Sequence, residues 1–217
     1  MSWLESYVEK QKKAIDSINL DSVDQIIQVF KAAIKEGRKI FVIGNGGSAA
    51  NASHFATDLG KGSSDVMKKF IERAYEVGEF TGKERFQVMS LNDNVSWMTA
   101  IANDYSYDEV FSRQLKNFAS HGDIILAVSV SGNSPNLVKA FQYAKDIGMY
   151  TISLTSHSGG EISKLSDRNV RVQSGHYGHV EDCQMMILHM IAYYFMEKYD
   201  FERKPSYHTV KSIDSEK

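Results

Sequence analysis

The chain of 217 residues contains a single cysteine, Cys183, which excludes an internal disulfide and favours a reducing compartment. It lacks any run of about 18 uncharged apolar residues, so no membrane-spanning helix is expected. Neither sign of charge dominates, because 25 basic side chains oppose 27 acidic ones, and this balance gives no electrostatic basis for binding nucleic acid. The first residues interleave charged with apolar side chains, unlike a signal peptide. We therefore expect a cytoplasmic protein that binds neither membrane nor nucleic acid.

The apolar residues that are present follow two different periods. Between residues 3 and 35 they recur at helical spacing, and a break near Asn19 predicts two amphipathic helices. Later, short apolar runs predict strands at 39–43, 85–91, 123–130, 149–155 and 169–173. Each run is followed by enough residues for a helix, which is typical of parallel strands joined by right-handed crossovers. The expected fold is an α/β three-layer sandwich, with a five-stranded parallel sheet of flavodoxin-like type between helices.

This pattern divides the chain into three parts. Residues 1–36 are expected to form an N-terminal helical arm, residues 37–200 the sheet domain, and residues 201–217 a loose tail. The domain closes with a helix over about 180–199, which is apolar on one broad face. One connection, 62–84, is longer than a crossover requires, and its middle has the spacing of a short helix. We expect this segment to shape the mouth of a pocket at that edge of the sheet.

Ligands of such sheets bind at the carboxyl ends of the strands, so the loops after the strands are candidate sites. The first, GNGGS at 44–48, follows a strand and opens a helix. Its backbone N–H groups and the positive end of the helix favour an anion, and glycine lets a ligand approach closely. The stretch 44–49 also matches the loose dinucleotide fingerprint G-x-G-x-x-A, which requires an acidic residue about 20 positions later. The next strand ends much further along, at Asp93, so a nicotinamide cofactor is disfavoured.

The second loop, SVSGNSPN at 129–136, also joins a strand to a helix. Its candidate ligand-binding side chains are Ser129, Ser131, Asn133 and Ser134. Hydroxyl and amide groups can bond phosphate oxygens without any lysine, which suits a sugar phosphate that must come and go. The alternative is that Ser134 merely caps the helix that Pro135 starts, but capping leaves the other two serines unexplained. A third loop, SHSGGE at 156–161, is interpreted as a turn.

Two pairs of ionisable residues lie on predicted helices. His54 and Asp58 are four residues apart and share a helix face. Glu181 and His189 are eight apart, on one side of the last helix. If the two helices meet over the loops, two imidazoles and two carboxylates converge, which suits a divalent metal such as zinc. The alternative is a surface pair in the first case and a satisfied core histidine in the second.

A carboxylate beside a histidine can interconvert an aldose and a ketose, with or without a metal. The reaction needs a base that moves a proton between adjacent carbons and a group that polarises the carbonyl oxygen. Three further histidines have no partner at helical spacing and are interpreted as solvated or structural. They are His157, His176 and His179.

Four ordered motifs, spread over nearly the whole chain, resemble those of one family. They are GNGGSAANASHFATDL, SVSGNSPNLVKAFQYAKDIGM, ISLTSHSGG and VEDCQMMILHMI. They are similar to the motifs of phosphosugar isomerases with a SIS domain, most closely the phosphoheptose isomerase, or sedoheptulose 7-phosphate isomerase, family. The resemblance implies a SIS fold and an isomerase of a sugar phosphate, with a seven-carbon sugar that feeds surface-polysaccharide precursors. It argues against the dinucleotide site.

The resemblance also assigns roles by position. The residues implied to hold the phosphate are Ser48, Ser129, Ser131 and Ser134. The residues implied to lie nearby, around the sugar or in the same loops, are Asn45, Gly46, Gly47, Asp93, Asn94 and Asn133. The implied zinc ligands are His54, Asp58, Glu181 and His189, with Asp58 as the base and His189 as the acid. Family members are typically homotetramers with sites between subunits, and their N-terminal helices pack in a central bundle, which would use the arm 1–36.

Two positions depart from the family pattern. Asp58 stands where the family has a catalytic glutamate, and Glu181 stands where it has a metal-binding glutamine. A base misplaced by about 1 Å can lose on the order of a hundredfold in rate. The alternative is therefore a non-catalytic phosphosugar-binding or assembly protein, a role that related SIS proteins have. The isomerase is favoured because a mere binder would not need the histidines and carboxylates.

Overall fold

The computed structural model describes residues 1–65 and 85–198, and within them five parallel strands form one sheet. The strands are β1 (Lys39–Gly44), β2 (Gln87–Ser90), β3 (Ile124–Val128), β4 (Tyr150–Ser156) and β5 (Arg168–Val172). Each overlaps the apolar run that predicts it, so the expected sheet is confirmed. The spatial order is β2-β1-β3-β4-β5, so β2 and β3 lie on either side of β1. The loops after β1 and β3 therefore lie side by side at the carboxyl edge, where ligands bind.

Helices cover both faces of the sheet, which confirms the three-layer expectation. They are α1 (Trp3–Asp16), α2 (Leu20–Glu36), α3 (Gly47–Thr57), α4 (Val95–Asp104), α5 (Ser112–Phe118), α6 (Pro135–Asp146), α7 (Gly160–Leu165) and α8 (Tyr177–Tyr193). One core includes side chains of α2, α3 and α8, and the other includes side chains of α4 to α7. In β1, Ile40 and Val42 pack in the first core, whereas Phe41 and Ile43 pack in the second. Burial on both faces explains why the strands are continuous apolar runs.

The two N-terminal helices differ in how much of their surface is buried. The predicted break near Asn19 is confirmed, because the Asn19 side chain caps the first turn of α2. One whole face of α2 packs in the core, whereas α1 contributes Ala14 to it. On α1, the side chains of Trp3 and Leu4 are 73% and 69% exposed. The boundary between residues 36 and 37 stays a prediction, and α2 shares the core of the sheet.

The closing helix is confirmed but begins earlier than the apolar pattern predicts. It begins at Tyr177 because the ring of His176 caps it, with Nδ1 accepting a hydrogen bond from the N–H of His179 at 3.4 Å. Histidine is not among the preferred capping residues, so the sequence gives no signal for this start. After α8 the chain continues into a π-helical turn, Tyr194–Lys198.

Two predictions fall wholly or largely outside residues 1–65 and 85–198. The tail 201–217 lies entirely outside this part of the chain, as does most of the segment 62–84. In the described part, no helix combines the length and the apolar character that crossing a bilayer requires.

Candidate active site

The glycine loop joins β1 to α3 and presents the first backbone amides of that helix. Gly46 stands at the capping position with φ of 55° and ψ of −124°, a conformation that a residue with a Cβ atom adopts only with strain. Because Gly46 has no side chain, it does not compete for the N–H groups of the first turn. Ser48, in that turn, is 4% exposed. The loop offers N–H donors and the positive end of a helix, which suits an anion.

The serine loop joins β3 to α6, and its hydroxyl groups shape it. Ser129 is buried, and its Oγ accepts a hydrogen bond from the N–H of Gly132 at 3.0 Å. The Oγ of Ser131 accepts a hydrogen bond from the N–H of Asn133 at 3.3 Å. Both bonds use an oxygen lone pair, so each O–H can still donate to a ligand. Ser134 stands at the start of α6, but its side chain makes no capping hydrogen bond, so the capping alternative is wrong for its hydroxyl.

The loop between β4 and α7 is a turn, as predicted, and it supports the serine loop. Gly159 has a positive φ of 74°. Just after it, the N–H of Glu161 donates to Oδ1 of Asn133 at 2.9 Å, and the N–H of Ile162 donates to the C=O of Gly132 at 3.0 Å. The Asn133 side chain, which the resemblance places among the substrate-binding residues, thus joins the two loops through its oxygen.

Two asparagines that sequence reasoning missed hold the glycine loop. The Asn92 side chain pairs with the backbone of Gly44: its oxygen accepts from the N–H at 3.2 Å, and its amide donates to the C=O at 2.7 Å. The Asn136 side chain forms a similar two-bond pair with the side chain of Asn45, at 2.9 and 3.0 Å. Asn92 follows β2, and Asn136 lies in the first turn of α6. Neighbouring loops therefore fix the glycine loop from both sides, through contacts that no sequence spacing signals.

Two residues after β2 are among those that the resemblance assigns to the substrate. Oδ1 of Asp93 accepts a hydrogen bond from the hydroxyl of Ser53 on α3. Asn94 caps α4, with its side-chain oxygen accepting from the N–H of Trp97 at 3.1 Å. Asp93 is therefore held against the helix that the glycine loop opens, whereas the oxygen of Asn94 is used in a helix cap.

His54, Asp58 and His189 converge at the end of α3, as predicted. Nε2 of His54 lies 3.1 Å from Oδ2 of Asp58 and 3.2 Å from Nε2 of His189. The distance from Nε2 of His189 to the same Oδ2 is 3.7 Å. The three side chains are 50%, 25% and 41% exposed, respectively, so a ligand can reach the group. Asp58 also begins a π-helical turn, Asp58–Ser63, a feature that is frequent at functional sites.

This donor set suits a zinc ion. Ligand atoms about 2.0–2.1 Å from a tetrahedral zinc lie about 3.3 Å apart, and the three atoms here are separated by 3.1, 3.2 and 3.7 Å. Catalytic zinc sites often combine three protein ligands of this type with a fourth position for water or substrate. The alternative of a satisfied core histidine is wrong for His189, because that side chain is 41% exposed.

Glu181 is not part of this group of three, the one cluster of potential metal ligands found in the described residues. Its carboxylate lies against Gly47, where a Cβ atom would come within 2.7 Å of Oε1. Its backbone C=O accepts a hydrogen bond from the Asn51 side chain at 3.1 Å. The helices α3 and α8 therefore run side by side in one direction, with Glu181 at the start of α3 and His189 at its end. A carboxylate is favoured at the positive end of a helix, which gives a physical reason for this placement.

Three further histidines, His157, His176 and His179, and the cysteine have structural surroundings. His176 caps α8 and His179 is 2% exposed. Burial lowers the pKa of His179 below its usual value, and the charge of His176 lowers it further. Burial raises the pKa of the Cys183 thiol. Nδ1 of His157 lies 3.1 Å from the backbone oxygen of Ser174. The interpretation of these three histidines as solvated or structural is confirmed.

Next to the cluster, one face of α8 forms an open groove of about 460 Å³. It is lined by methionine side chains and by Tyr193 beside His189. One of the methionines, Met186, is 38% exposed. The imidazole of His189 therefore stands at the border between the cluster and an apolar surface.

The fold, with the glycine and serine loops at the carboxyl edge of its sheet and the histidine cluster beside them, is that of a SIS-domain protein, and the family model of the SIS domain matches residues 3–156. A probable phosphoheptose isomerase of Thermoplasma acidophilum is 36% identical over 193 residues, which cover 89% of this chain and 97% of the relative. The phosphoheptose isomerase of Helicobacter pylori is 33% identical over 186 residues, 86% of this chain and 88% of the relative. The chain belongs to the phosphoheptose isomerase family.

Solved structures support the same fold. The phosphoheptose isomerase of Neisseria gonorrhoeae superposes with a TM-score of 0.74 and 25% identity, covering 88% of this chain and 96% of that one. The phosphoheptose isomerase of Francisella tularensis gives a TM-score of 0.76 at 24% identity, over 90% of this chain and 98% of that one. This chain therefore shares its three-layer arrangement with each of the two solved structures over nearly its whole length.

Proposed function

We propose that this protein is an isomerase that interconverts sedoheptulose 7-phosphate and a heptose 7-phosphate, for the synthesis of surface-polysaccharide precursors. The observation that carries the proposal is the convergence of the Asp58 carboxylate with the imidazoles of His54 and His189 at the end of the helix that the glycine loop opens. Relatives named phosphoheptose isomerase support the same substrate.

The phosphate is assigned to the two loops at the carboxyl edge of the sheet. Its ligands in this proposal are the hydroxyls of Ser48, Ser129, Ser131 and Ser134 and the first amides of α3 and α6. Ser48 and His54 are six residues apart on α3, a rise of about 9 Å. An extended seven-carbon sugar phosphate spans a comparable distance. A phosphate bound at Ser48 therefore places the opposite end of the sugar, C1 and C2, beside Asp58.

Asp58 and His189 are assigned the proton transfers. In the direction from ketose to aldose, Asp58 removes a proton from C1 while His189 donates a proton to the carbonyl oxygen on C2, which gives an enediol. Asp58 then returns its proton to C2, and the hydroxyl on C1 gives its proton back to His189 as the aldehyde forms. Oδ2 of Asp58 and Nε2 of His189 face the other members of the cluster, so the C–H proton is assigned to Oδ1 of Asp58. The proton that His189 gives to the carbonyl oxygen is assigned to its other ring nitrogen, Nδ1, because a nitrogen that binds a metal carries no proton.

We assign zinc to the same cluster, with His54, Asp58 and His189 as its ligands in this chain. A bound zinc ion supplies polarisation of the carbonyl oxygen, which stabilises the negative charge that develops as C1 loses its proton. The support is the match between the separation of the three ligand atoms and the separation that a tetrahedral ion requires. The role of Glu181 as a further ligand stays a prediction from the resemblance.

We also propose that the protein is a cytoplasmic homotetramer. Large apolar side chains on a surface mark interaction sites. The support here is the exposure of Trp3 and Leu4 on α1 and the methionine groove beside His189. A partner packed on that groove would cover the open side of the cluster and exclude water from it.

The proposal is tested by incubating the purified protein with sedoheptulose 7-phosphate and zinc, and following the appearance of an aldose phosphate by NMR. Asp146→Asn, a substitution at an exposed site at the end of α6, is a control that should keep full activity. Absence of turnover over a panel of ketose and aldose phosphates, with zinc supplied, would contradict the isomerase. It would favour the non-catalytic alternative, which needs the loops but not the cluster.

A further inference from the structure

The side chains of Asn45 and Asn136 form a reciprocal amide pair. The amide nitrogen of Asn136 donates to Oδ1 of Asn45 at 2.9 Å, and the amide nitrogen of Asn45 donates to Oδ1 of Asn136 at 3.0 Å. Each side chain is therefore both donor and acceptor to the other. Two hydrogen bonds in one ring restrict the rotation of both amide groups and so fix the Asn45 side chain in the glycine loop.

The orientation of this pair is set by a backbone group. The N–H of Leu137 lies 2.9 Å from Oδ1 of Asn136. A backbone N–H can only donate, so the atom that faces it must be the oxygen of Asn136 and not its nitrogen. Asn136 is 2% exposed, and water cannot replace these partners. Once Asn136 is oriented, its amide nitrogen must face the oxygen of Asn45, which orients Asn45 as well.

Tyr107 uses the remaining acceptor capacity of Asn45. Its hydroxyl donates to Oδ1 of Asn45 at 3.2 Å. An asparagine side chain can accept two hydrogen bonds and donate two. Asn136 and Tyr107 fill both acceptor positions of Asn45, and Asn136 takes one of its two N–H groups. A single N–H is therefore left for a ligand.

We infer that Asn136, assisted by Tyr107, is a positioning residue. It holds the Asn45 side chain so that a single amide N–H is left, and this N–H donates a hydrogen bond to an oxygen of the sugar phosphate. Asn45 then selects ligands that present an acceptor oxygen at this point, which includes a sugar hydroxyl since its oxygen can accept, and disfavours those that present only an N–H donor, because two facing donors leave both unpaired. This inference takes the identity of the ligand from the proposed function. The amide network itself does not depend on it.

A double-mutant cycle tests whether Asn136 acts through Asn45. Asn45→Ala should raise the KM for sedoheptulose 7-phosphate by about three- to tenfold, the value of one hydrogen bond. Asn136→Leu, which keeps the shape of the side chain but no polar atom, should raise it by a similar factor. In the double variant the KM should rise no further, because the contact has already been lost. Asn117→Leu, at an exposed asparagine of α5, is the matched control and should leave KM unchanged.

Additive effects in this cycle would overturn the inference, since they would mean that Asn136 supports the fold independently of Asn45. An unchanged KM in Asn136→Leu would overturn it as well. Thermal unfolding of each variant identifies a general loss of structure, which lowers both kcat and the midpoint temperature of unfolding. A positioning role instead raises KM while kcat changes little.

A second measurement needs no turnover and separates this inference from the proposed function. In the ¹⁵N-labelled protein without substrate, the Asn45 side chain should show one N–H proton protected from exchange by Asn136 and one that exchanges faster. Asn136→Leu should remove the protection. Equal exchange of the two protons in the unaltered protein would contradict the network. If the proton is protected but the protein isomerises no sugar phosphate, the amide network is confirmed and only the assigned ligand is refuted.

Discussion

The loops at the carboxyl edge of the sheet and the histidine cluster on α3 and α8 are built in different ways. The glycine and serine loops are held by groups that are not expected to touch the ligand, such as Asn92, Asn136 and the turn before α7. The cluster is held by the contacts of His54, Asp58 and His189 with one another and by an edge contact of the His189 ring with Tyr193, on side chains that are a quarter to a half exposed. The glycine and serine loops are thus preorganised by several hydrogen bonds, whereas the cluster depends mainly on its own members and on what they bind.

The largest expected effect comes from removing the carboxylate of the cluster. Asp58→Asn keeps the size of the side chain but removes the base, so kcat should fall by about 10²- to 10⁴-fold. Steady-state kinetics measure the loss, and the dissociation constant of inorganic phosphate should stay the same because the loops are separate. A variant that keeps more than half of the activity would refute the role of Asp58. Asp58→Glu, which restores the family residue, should remain active.

The second effect concerns the metal, which should matter to the cluster and not to the loops. Treatment with a chelator should abolish isomerisation and lower the thermal midpoint, because a ligand that binds the native state stabilises it. Zinc should restore both. Metal analysis should find about one zinc per chain, and His54→Ala should reduce that content strongly. Full zinc content in His54→Ala would show that the ion binds elsewhere.

A smaller effect is expected when the glycine loop is strained. Gly46→Ala places a Cβ atom on a backbone with φ of 55° and ψ of −124°, which should lower the free energy of unfolding by about 1–3 kcal/mol. Denaturant titration measures this change. The KM should rise because the amides of the loop move, whereas the zinc content should not change. A loss of zinc in this variant would mean that the loop and the cluster are not independent.

The smallest effect is expected at Cys183, on the buried side of the helix that carries His189. Burial raises the pKa of its thiol, and the thiolate is the reactive form. A thiol reagent should therefore label native protein very slowly at a pH at which free cysteine reacts readily, and should label unfolded protein completely. Rapid labelling of the native protein would contradict this, because it would show that the buried side of α8 is accessible to solvent.

Much of the architecture could be predicted because its signals are local. The strands are recognisable as apolar runs since both faces of the sheet are covered, as for Ile40 and Phe41 in opposite cores. His54 and Asp58 could be paired because four residues make about one turn of a helix. His189 was a candidate from its spacing with Glu181 on the last helix, but its meeting with His54 depended on the condition that the two helices come together, and the resemblance supported that condition.

The rest depends on contacts between distant parts of the chain. Asn45 and Asn136 are 91 positions apart, and nothing in either motif indicates that their amides face each other. Glu181 was expected beside His189, but eight residues correspond to about 12 Å along a helix. Within one chain, Glu181 meets the start of α3 and His189 its end. The early start of α8 could not be predicted either, because it depends on a histidine cap.

The central claim is that the loops and the cluster hold the two ends of one sugar phosphate while Asp58 moves a proton between its first two carbons. The most direct test is to incubate the zinc-loaded protein with sedoheptulose 7-phosphate in deuterated water and locate the label by NMR. We predict an aldose phosphate that carries deuterium on C2 in the fraction of turnovers in which the proton held by Asp58 exchanges with the solvent before it is returned. Recovery of unchanged ketose, with no deuterium on C1 and no aldose formed, would contradict the claim.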